Sequence, residues 1–394
     1  MGGRVARMSK KALVLGGTSG LGLSLAHSLL DRGYDEVNVL GRKAPRKARD
    51  GLFFYRYNIL MDDFSILDKF HDVDALIISA GVGRVAPFEE ITDIEIVNNF
   101  RVNTIGAIRT IAAFYDKITS NEDFFCAVIS SIAGFLPSPL FSVYGASKAA
   151  LTKFVESVNI ELEKTKRINR ILNVTPGRLE GTEFYGAETD VEATRLLAET
   201  IIDEMFSRST LYIPDYETVY KNVLARYSAD PKGFGLASYD YKIQSARVSS
   251  SPKLRVGYLS GTFDLFHIGH LNILRRAKEY CDYLVVGVHK DASHKGKTAF
   301  IPFDERKAIV SSIKYVDQVI EAPLEDSDAY DLVKYDYLFV GSDYQGSERF
   351  LRYEKIFKDT DVEIIYLPYT LRTNSTELRR ALSVLSNAGE NSSL

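Results

Sequence analysis

Tryptophan is absent from this 394-residue chain, and cysteine occurs only twice. Cys126 and Cys281 each sit inside an apolar segment. That pattern argues against a disulfide framework or a metal-binding pair, and it predicts two buried thiols in a cytoplasmic protein. An excess of charge is also missing: 49 basic residues face 52 acidic ones, a net charge of −3. Nothing electrostatic therefore favours nucleic acid or an anionic membrane as a partner. No apolar run reaches the ~20 residues that a bilayer span requires, so membrane insertion is not expected. Residues 1–11 are basic but lead into a strand and a glycine turn, where a signal peptide needs a cleavable apolar segment. What is present is ordinary for a globular protein, 45% hydrophobic and 26% charged residues. The length exceeds one core of common size and predicts two domains.

Ala12-Leu13-Val14-Leu15 has the pattern of a short buried strand. It runs into Gly16-Gly17-Thr18-Ser19-Gly20-Leu21-Gly22, then into a helical pattern through Leu25, Ala26, Leu29 and Leu30. Strand, glycine turn and helix form the context of a dinucleotide pyrophosphate site. Glycine lets the backbone approach the phosphates, and the helix N-terminus attracts their charge. Gly16, Ser19, Gly20 and Gly22 are the candidate contacts. The next strand, Val37 to Leu40, ends in Gly41-Arg42-Lys43. A free ribose 2′-hydroxyl wants an acidic side chain there and a 2′-phosphate a cation, so Arg42 favours NADPH over NADH. Strand-like runs at Leu52–Tyr57, Ala75–Ile78, Phe125–Ile129 and Ile171–Val174 alternate with helix-length segments, as in a doubly wound parallel sheet.

Tyr144 and Lys148 are four apart and share one face of a helix. A free tyrosine titrates near ~10, too high for a proton relay at neutral pH. An ammonium about 4 Å away, at an effective dielectric of about 20, contributes about 4 kcal/mol, or roughly three pKa units. The pair can therefore poise a tyrosine for acid–base work. Over most of residues 10–215 the chain resembles the short-chain dehydrogenase/reductase family. The resemblance rests on the glycine turn, Ser79-Ala80-Gly81, Asn103 in Val-Asn-Thr-Ile-Gly, Ile-Ser-Ser at 129–131, Tyr144 with Lys148, and Pro176-Gly177. It implies a catalytic tetrad of Asn103, Ser131, Tyr144 and Lys148. Tyrosine would protonate the substrate alkoxide, serine polarise the carbonyl, lysine hold the nicotinamide ribose, and asparagine support the lysine. Ala80, Gly81, Pro176 and Gly177 would join the cofactor contacts. The chain departs from the family at Leu15, Ser79 and Asn58, where threonine, asparagine and aspartate are common.

After Tyr227 the text becomes Ser-Ala-Asp-Pro-Lys-Gly-Phe-Gly, followed by a serine-rich run ending at Pro252. This punctuation reads as a linker, 228–253, between a domain at 1–227 and another at 254–394. Strand-like runs then resume at Arg255–Leu259, Tyr283–Val288, Gln318–Ile320, Tyr337–Val340 and Glu363–Tyr366. The predicted fold class is α/β, with two Rossmann-like doubly wound parallel-sheet domains joined by a linker. Between the first of these runs and an amphipathic helix (Leu271, Ile273, Leu274, Ala277) lies Gly261-Thr262-Phe263-Asp264-Leu265-Phe266-His267-Ile268-Gly269-His270. Two imidazoles thus stand three residues apart at a helix start, which attracts phosphate. Gly269 removes a side chain between them. Lys295-Gly296-Lys297 adds two mobile point charges.

Residues 255–380 closely resemble the glycerol-3-phosphate cytidylyltransferases of the nucleotidyltransferase α/β phosphodiesterase superfamily. The matching text is the 261–270 stretch, Leu-Arg-Arg-Ala-Lys, Lys-Gly-Lys, Asp-Glu-Arg-Lys, Tyr-Val-Asp, Val-Gly-Ser-Asp-Tyr and Arg-Thr-Asn-Ser-Thr. The resemblance implies that His267 and His270 stabilise the transition state at the CTP α-phosphate. Lys295 and Lys297 would neutralise phosphate charge, and Arg372, Thr373, Ser375 and Thr376 would hold the triphosphate at another helix start. Gly261, Thr262, Phe263 and Asp264 would line the nucleotide site, with Asp264 assisting Mg²⁺ or phosphate. Arg306 and Asp343 would contact nucleotide or substrate. No protein-held metal set is expected. Two departures stand out: the family's triphosphate motif lacks its glycine at 372–376, and Tyr344 replaces a common tryptophan.

Together the halves lead to a bifunctional enzyme. A ketose phosphate, with ribulose 5-phosphate ranked first, would be reduced with NADPH and the polyol phosphate joined to CMP from CTP. The product would be CDP-ribitol, with CDP-arabinitol, CDP-mannitol or CDP-glycerol as alternatives. A capsule-polysaccharide role follows by analogy, and both resemblances imply a homo-oligomer. The rival readings are a non-catalytic Rossmann module, and ATP in place of CTP.

Overall fold

A computed structural model describes residues 9–60, 64–179, 190–245, 255–291, 299–358 and 360–368. The chain divides into two compact units, residues 1–252 and 253–394. The first holds strands β1 (Lys11–Leu15), β2 (Glu36–Gly41), β3 (Leu52–Arg56), β4 (Ala75–Ile78), β5 (Phe125–Ile129), β6 (Ile171–Val174) and β7 (Leu211–Tyr212). They form one sheet in the order β3-β2-β1-β4-β5-β6-β7, with every neighbouring pair parallel. Parallel strands are covered by helices on both faces, which explains their near-continuous apolar runs. Alternation then divides each strand between two cores. Leu13, Leu15, Leu76 and Ile78 enter one, while Ala12, Val14, Ala75 and Ile77 enter the other. The helix Ser142–Lys164 covers the first face, and helices Gly20–Asp31 and Arg195–Phe206 the second.

The second unit repeats the scheme with β8 (Val256–Gly261), β9 (Tyr283–Val288), β10 (Gln318–Glu321), β11 (Tyr337–Gly341) and β12 (Glu363–Leu367). Their order is β10-β9-β8-β11-β12, again all parallel. In both sheets the chain reverses direction of travel beside its first strand, between β1 and β4 and between β8 and β11. Such a switch point opens a crevice at the carboxyl ends of the strands, where ligands of α/β sheets bind. The glycine turn and the histidine stretch follow β1 and β8 directly, so both occupy that edge.

One expectation changes. The punctuated stretch after Tyr227 contains a helix, Pro231–Gln244, although it carries Gly233, Gly235 and Ser238. Its start is well specified: Asp230 accepts the Gly233 N–H at 2.9 Å, and Pro231 takes the first helical position. It packs through Phe234 against Tyr227 of the preceding helix, Lys221–Ala229. Cys126 and Cys281 are both buried free thiols. Among the described residues no helix is long and apolar enough to cross a membrane.

Candidate active sites

The glycine turn is built by contacts that no larger residue would allow. Gly16 has φ +80°, and a Cβ there would lie 2.6 Å from the Ala80 nitrogen. A Cβ on Gly22 would meet the Gly16 carbonyl oxygen at 2.1 Å. Ser19 caps the helix from an extended conformation (φ −154°), and its side chain makes no capping bond. The helix N-terminus is thus stripped of bulk and faces the strand edge, the requirement of a phosphate cradle. Arg42 follows β2 and is exposed. These residues fit a dinucleotide.

From Ala80 the same edge leads to the predicted tetrad. A Cβ on Gly81 would sit 3.4 Å from Lys148 Nζ and 3.5 Å from Asn103 Oδ1, so this glycine borders both side chains. Asn103 is fully buried on a π-helical turn, Arg101–Gly106; such turns recur at functional sites. Its Oδ1 accepts the Val82 N–H at 2.8 Å, and its Nδ2 donates to Val82 O at 2.8 Å and Ser147 Oγ at 2.9 Å. Tyr144 is buried and stacks on Phe141, with ring centroids 4.1 Å apart. Lys148 Nζ lies 5.8 Å from the Tyr144 ring centroid and donates to the Ile129 carbonyl at 2.8 Å. Two residues beyond Ile129, Ser131 Oγ accepts the Ala133 N–H at 3.2 Å. That bond leaves the hydroxyl proton for another acceptor.

Here the sequence-based electrostatics need correction. A lysine strong enough to depress the tyrosine pKa must itself be charged, and Lys148 is 3% exposed. Burial pushes its pKa down from 10.5 to about 7. Between those values the unfolded chain holds a proton that the folded chain has lost. Stability of the cofactor-free protein is therefore expected to rise as pH increases from about 7 towards 10.5, with the full penalty present below that window. In Lys148→Met this rise disappears and the melting temperature at pH 7 increases, as denaturation between pH 7 and 9.5 would show. An unchanged pH slope in the variant would refute it.

Pro176 and Gly177 lie beside the serine, because the Ile132 N–H donates to Pro176 O at 3.0 Å. A Cβ on Gly177 would come within 1.6 Å of the Tyr220 hydroxyl, so Tyr220 stands directly over this turn. Gly177, Arg178, Thr200, Tyr212, Asp215 and Tyr220 line a cavity of about 260 Å³. Arg178 and Tyr220 line this cavity without having been singled out in the sequence. Arg178 was adjacent to a recognised motif, whereas nothing in the local text ties Tyr220 to residue 177.

In the second unit His267 caps the helix Ile268–Tyr280 with its own ring: Nδ1 accepts the Gly269 N–H at 3.0 Å. This bond fixes the neutral tautomer with hydrogen on Nε2. Burial lowers the His267 pKa, which keeps the ring neutral near pH 7. The His270 ring stacks on it with centroids 4.0 Å apart. Phe263 and Phe266 flank His270 at 5.3 and 5.4 Å. The turn before the helix is strained, with Phe263 at φ +52° and Leu265 at φ +48°. Non-glycine residues in that region cost about 1–3 kcal/mol each and persist only where their surroundings fix them.

Asp264 and Arg306 do not present themselves as ligand contacts. Asp264 is 3% exposed, and its carboxylate accepts backbone N–H groups from Phe300 and Ile301 at 3.0–3.1 Å. Arg306 is 1% exposed and donates to the carbonyls of Thr262, His289, Lys290 and Ile301 at 2.5–2.9 Å. Arg306, expected to contact nucleotide or substrate, directs these donors into backbone carbonyls. Asp343 is exposed, just beyond β11, the strand that neighbours β8. Lys295, Lys297, Arg372, Thr373, Ser375 and Thr376 lie outside the described residues. Among the described residues no group of three or more histidine, cysteine or acidic side chains could hold a metal ion.

Comparison with known proteins divides along the same line. A short chain dehydrogenase family model matches residues 64–192, and a cytidylyltransferase-like model matches residues 258–381. The glycerol-3-phosphate cytidylyltransferase of Bacillus subtilis is 34% identical over 129 residues, 32% of this chain and 95% of the relative. That of Staphylococcus aureus is 36% identical over 126 residues, 31% of this chain and 90% of the relative. An uncharacterized oxidoreductase of Saccharomyces cerevisiae is 29% identical over 205 residues, 48% of this chain and 66% of that protein. The chain therefore belongs to the cytidylyltransferase family through its second unit, carries a short chain dehydrogenase domain in its first, and is an enzyme with both kinds of catalytic domain.

Proposed function

We propose that the protein reduces a ketose phosphate with NADPH and then transfers CMP from CTP to the resulting polyol phosphate, releasing pyrophosphate. Ribulose 5-phosphate and CDP-ribitol are the first-ranked substrate and product. The observation that supports this reading is the presence on one chain of two side-chain clusters suited to the two reactions. One is the Asn103–Lys148–Tyr144 cluster with Ser131 on the adjoining strand end; the other is the stacked His267–His270 pair.

NADPH, when bound, supplies the hydride. Gly16, Ser19, Gly20 and Gly22 would hold it, with Arg42 for its 2′-phosphate and Gly81 beside Asn103 and Lys148. Ser131 donates a hydrogen bond to the substrate carbonyl. Tyr144 gives its phenolic proton to the oxygen that becomes the new hydroxyl. Lys148, held by the Ile129 carbonyl, contacts the ribose and, in its protonated form, favours the tyrosinate left behind. Asn103 braces the π-helical turn beside it.

In the second site an oxygen of the polyol phosphate attacks the α-phosphorus of CTP, and the bond to the β-phosphate oxygen breaks. His267 and His270 donate hydrogen bonds to the oxygens that gain charge. Positioning and charge neutralisation supply most of such catalysis. Lys295, Lys297 and Arg372-Thr373-Asn374-Ser375-Thr376 complete the triphosphate site in this reading. Magnesium would arrive on the CTP phosphates, since such ions are held largely by substrate and water. The name of the bacterial relatives, glycerol-3-phosphate cytidylyltransferase, supports CTP and a polyol phosphate as substrates. We place the enzyme in the cytoplasm as a homo-oligomer serving surface-polysaccharide synthesis.

Pyrophosphate release with CTP and ATP side by side, across C3–C6 polyol phosphates, tests the transferase assignment. CTP should be preferred with a five-carbon acceptor, and a clear ATP preference would sink it.

A further inference from the structure

We propose that Asp264 and Arg306 are positioning residues for CMP transfer, fixing the turn that delivers His267 and His270 while touching neither nucleotide nor metal ion. The inference rests on the transferase reading of that site. Asp264 stands between the two residues with left-handed backbone, Phe263 and Leu265. A turn bent in this way stays bent only if something holds it. Asp264 does so from its middle, through the N–H groups of Phe300 and Ile301. Arg306 does so from its start, through the Thr262 carbonyl.

The same guanidinium reaches His289 and Lys290 just after β9, and Ile301 just before the helix Phe303–Ser311. Both backbone stretches flanking residues 291–299 are thereby tied to the histidine turn. Four carbonyls around one buried cation use the planar fork of arginine, which the point charge of lysine cannot match. The carboxylate acts here as an acceptor of backbone N–H groups. It also attracts the buried Arg306 guanidinium; an amide oxygen can take over the hydrogen bonds, whereas a metal ligand cannot be replaced in this way.

The test uses the full chain with Asp264→Asn, Asp264→Ala and Arg306→Lys. Three quantities are read: CTP affinity by calorimetry, kcat of CMP transfer to a polyol phosphate that the wild type accepts, and the Mg²⁺ concentration giving half-maximal rate. Asp264→Asn should stay within about fivefold of the wild-type kcat, while Asp264→Ala and Arg306→Lys lose about 100-fold, the cost of a misplacement near 1 Å. CTP affinity should stay within about threefold and the Mg²⁺ midpoint should not move, as expected when the lost interaction is made in the transition state. Should the alanine variant fail to fold, Asp264→Asn and Arg306→Lys still decide. The inference is overturned if Asp264→Asn is as inactive as Arg306→Lys, if the Mg²⁺ midpoint shifts about tenfold, or if CTP affinity falls in step with kcat. A wild type that transfers no CMP would instead refute the reading of the site itself.

Discussion

Replacing Tyr144 with phenylalanine lowers kcat for NADPH oxidation by about 10³-fold and leaves CMP transfer unchanged, if Tyr144 is the proton donor of the first site. The substitution keeps the ring contacts. The phenyl ring keeps its stack on Phe141, at 4.1 Å between centroids, and its fit against Gly83, whose Cβ would meet the Tyr144 ring at 2.5 Å. Lys148 also keeps its bond to Ile129 O. What disappears is the proton on the phenolic oxygen, an interaction needed only as the alkoxide forms, so kcat falls and KM for NADPH stays within about threefold. Steady-state kinetics on a competent ketose phosphate check this. Undiminished oxidation would support the rival in which the first unit only binds.

The second large effect is at the histidine pair. His270→Ala should reduce CMP transfer by about 10³-fold, the scale for removing one donor to developing oxyanion charge, with NADPH oxidation intact. His267 needs a different substitution, because its Nδ1 also caps the helix by accepting the Gly269 N–H at 3.0 Å. Asparagine is a strong N-cap acceptor, so His267→Asn preserves the helix start and removes only the imidazole. Its rate should drop as far as that of His270→Ala. Pyrophosphate release measured beside helix content by circular dichroism separates lost chemistry from a frayed helix. A His267→Asn enzyme at wild-type rate would confine His267 to capping.

Most of the architecture was legible because parallel strands buried on both faces leave little freedom in composition. The runs at Ala75–Ile78, Phe125–Ile129, Ile171–Val174 and Tyr283–Val288 coincide with β4, β5, β6 and β9. Among the described residues, the elements that escaped include β7 and the helix Pro231–Gln244. β7 is only two residues, Leu211–Tyr212, too short for any period to register. The helix Pro231–Gln244 has weak helix formers in its first turns, and its capping aspartate and N1 proline were read as turn punctuation instead.

The sites divide in the same way. Motif residues such as Gly16, Tyr144, Lys148 and His267 were visible because local spacing sets their chemistry. Residues whose role depends on distant backbone were misread or missed. The sequence reading took Lys148 as a fixed cation, since burial cannot be seen in a one-dimensional text. Arg306 belongs to a recognisable Asp-Glu-Arg-Lys motif, yet the four carbonyls it serves come from residues 262, 289, 290 and 301. Tyr220 reaches Gly177 across 43 positions of sequence (220 − 177).

The central claim is that two sites on one chain act in sequence on one substrate. Its most direct test is a single reaction containing CTP, Mg²⁺, ribulose 5-phosphate and NADPH deuterated at C4 on the transferred face, followed by mass spectrometry. The expected product is CDP-ribitol carrying one deuterium, formed only when NADPH is present. Formation of an unlabelled CDP-linked product at the same rate without NADPH would contradict the account.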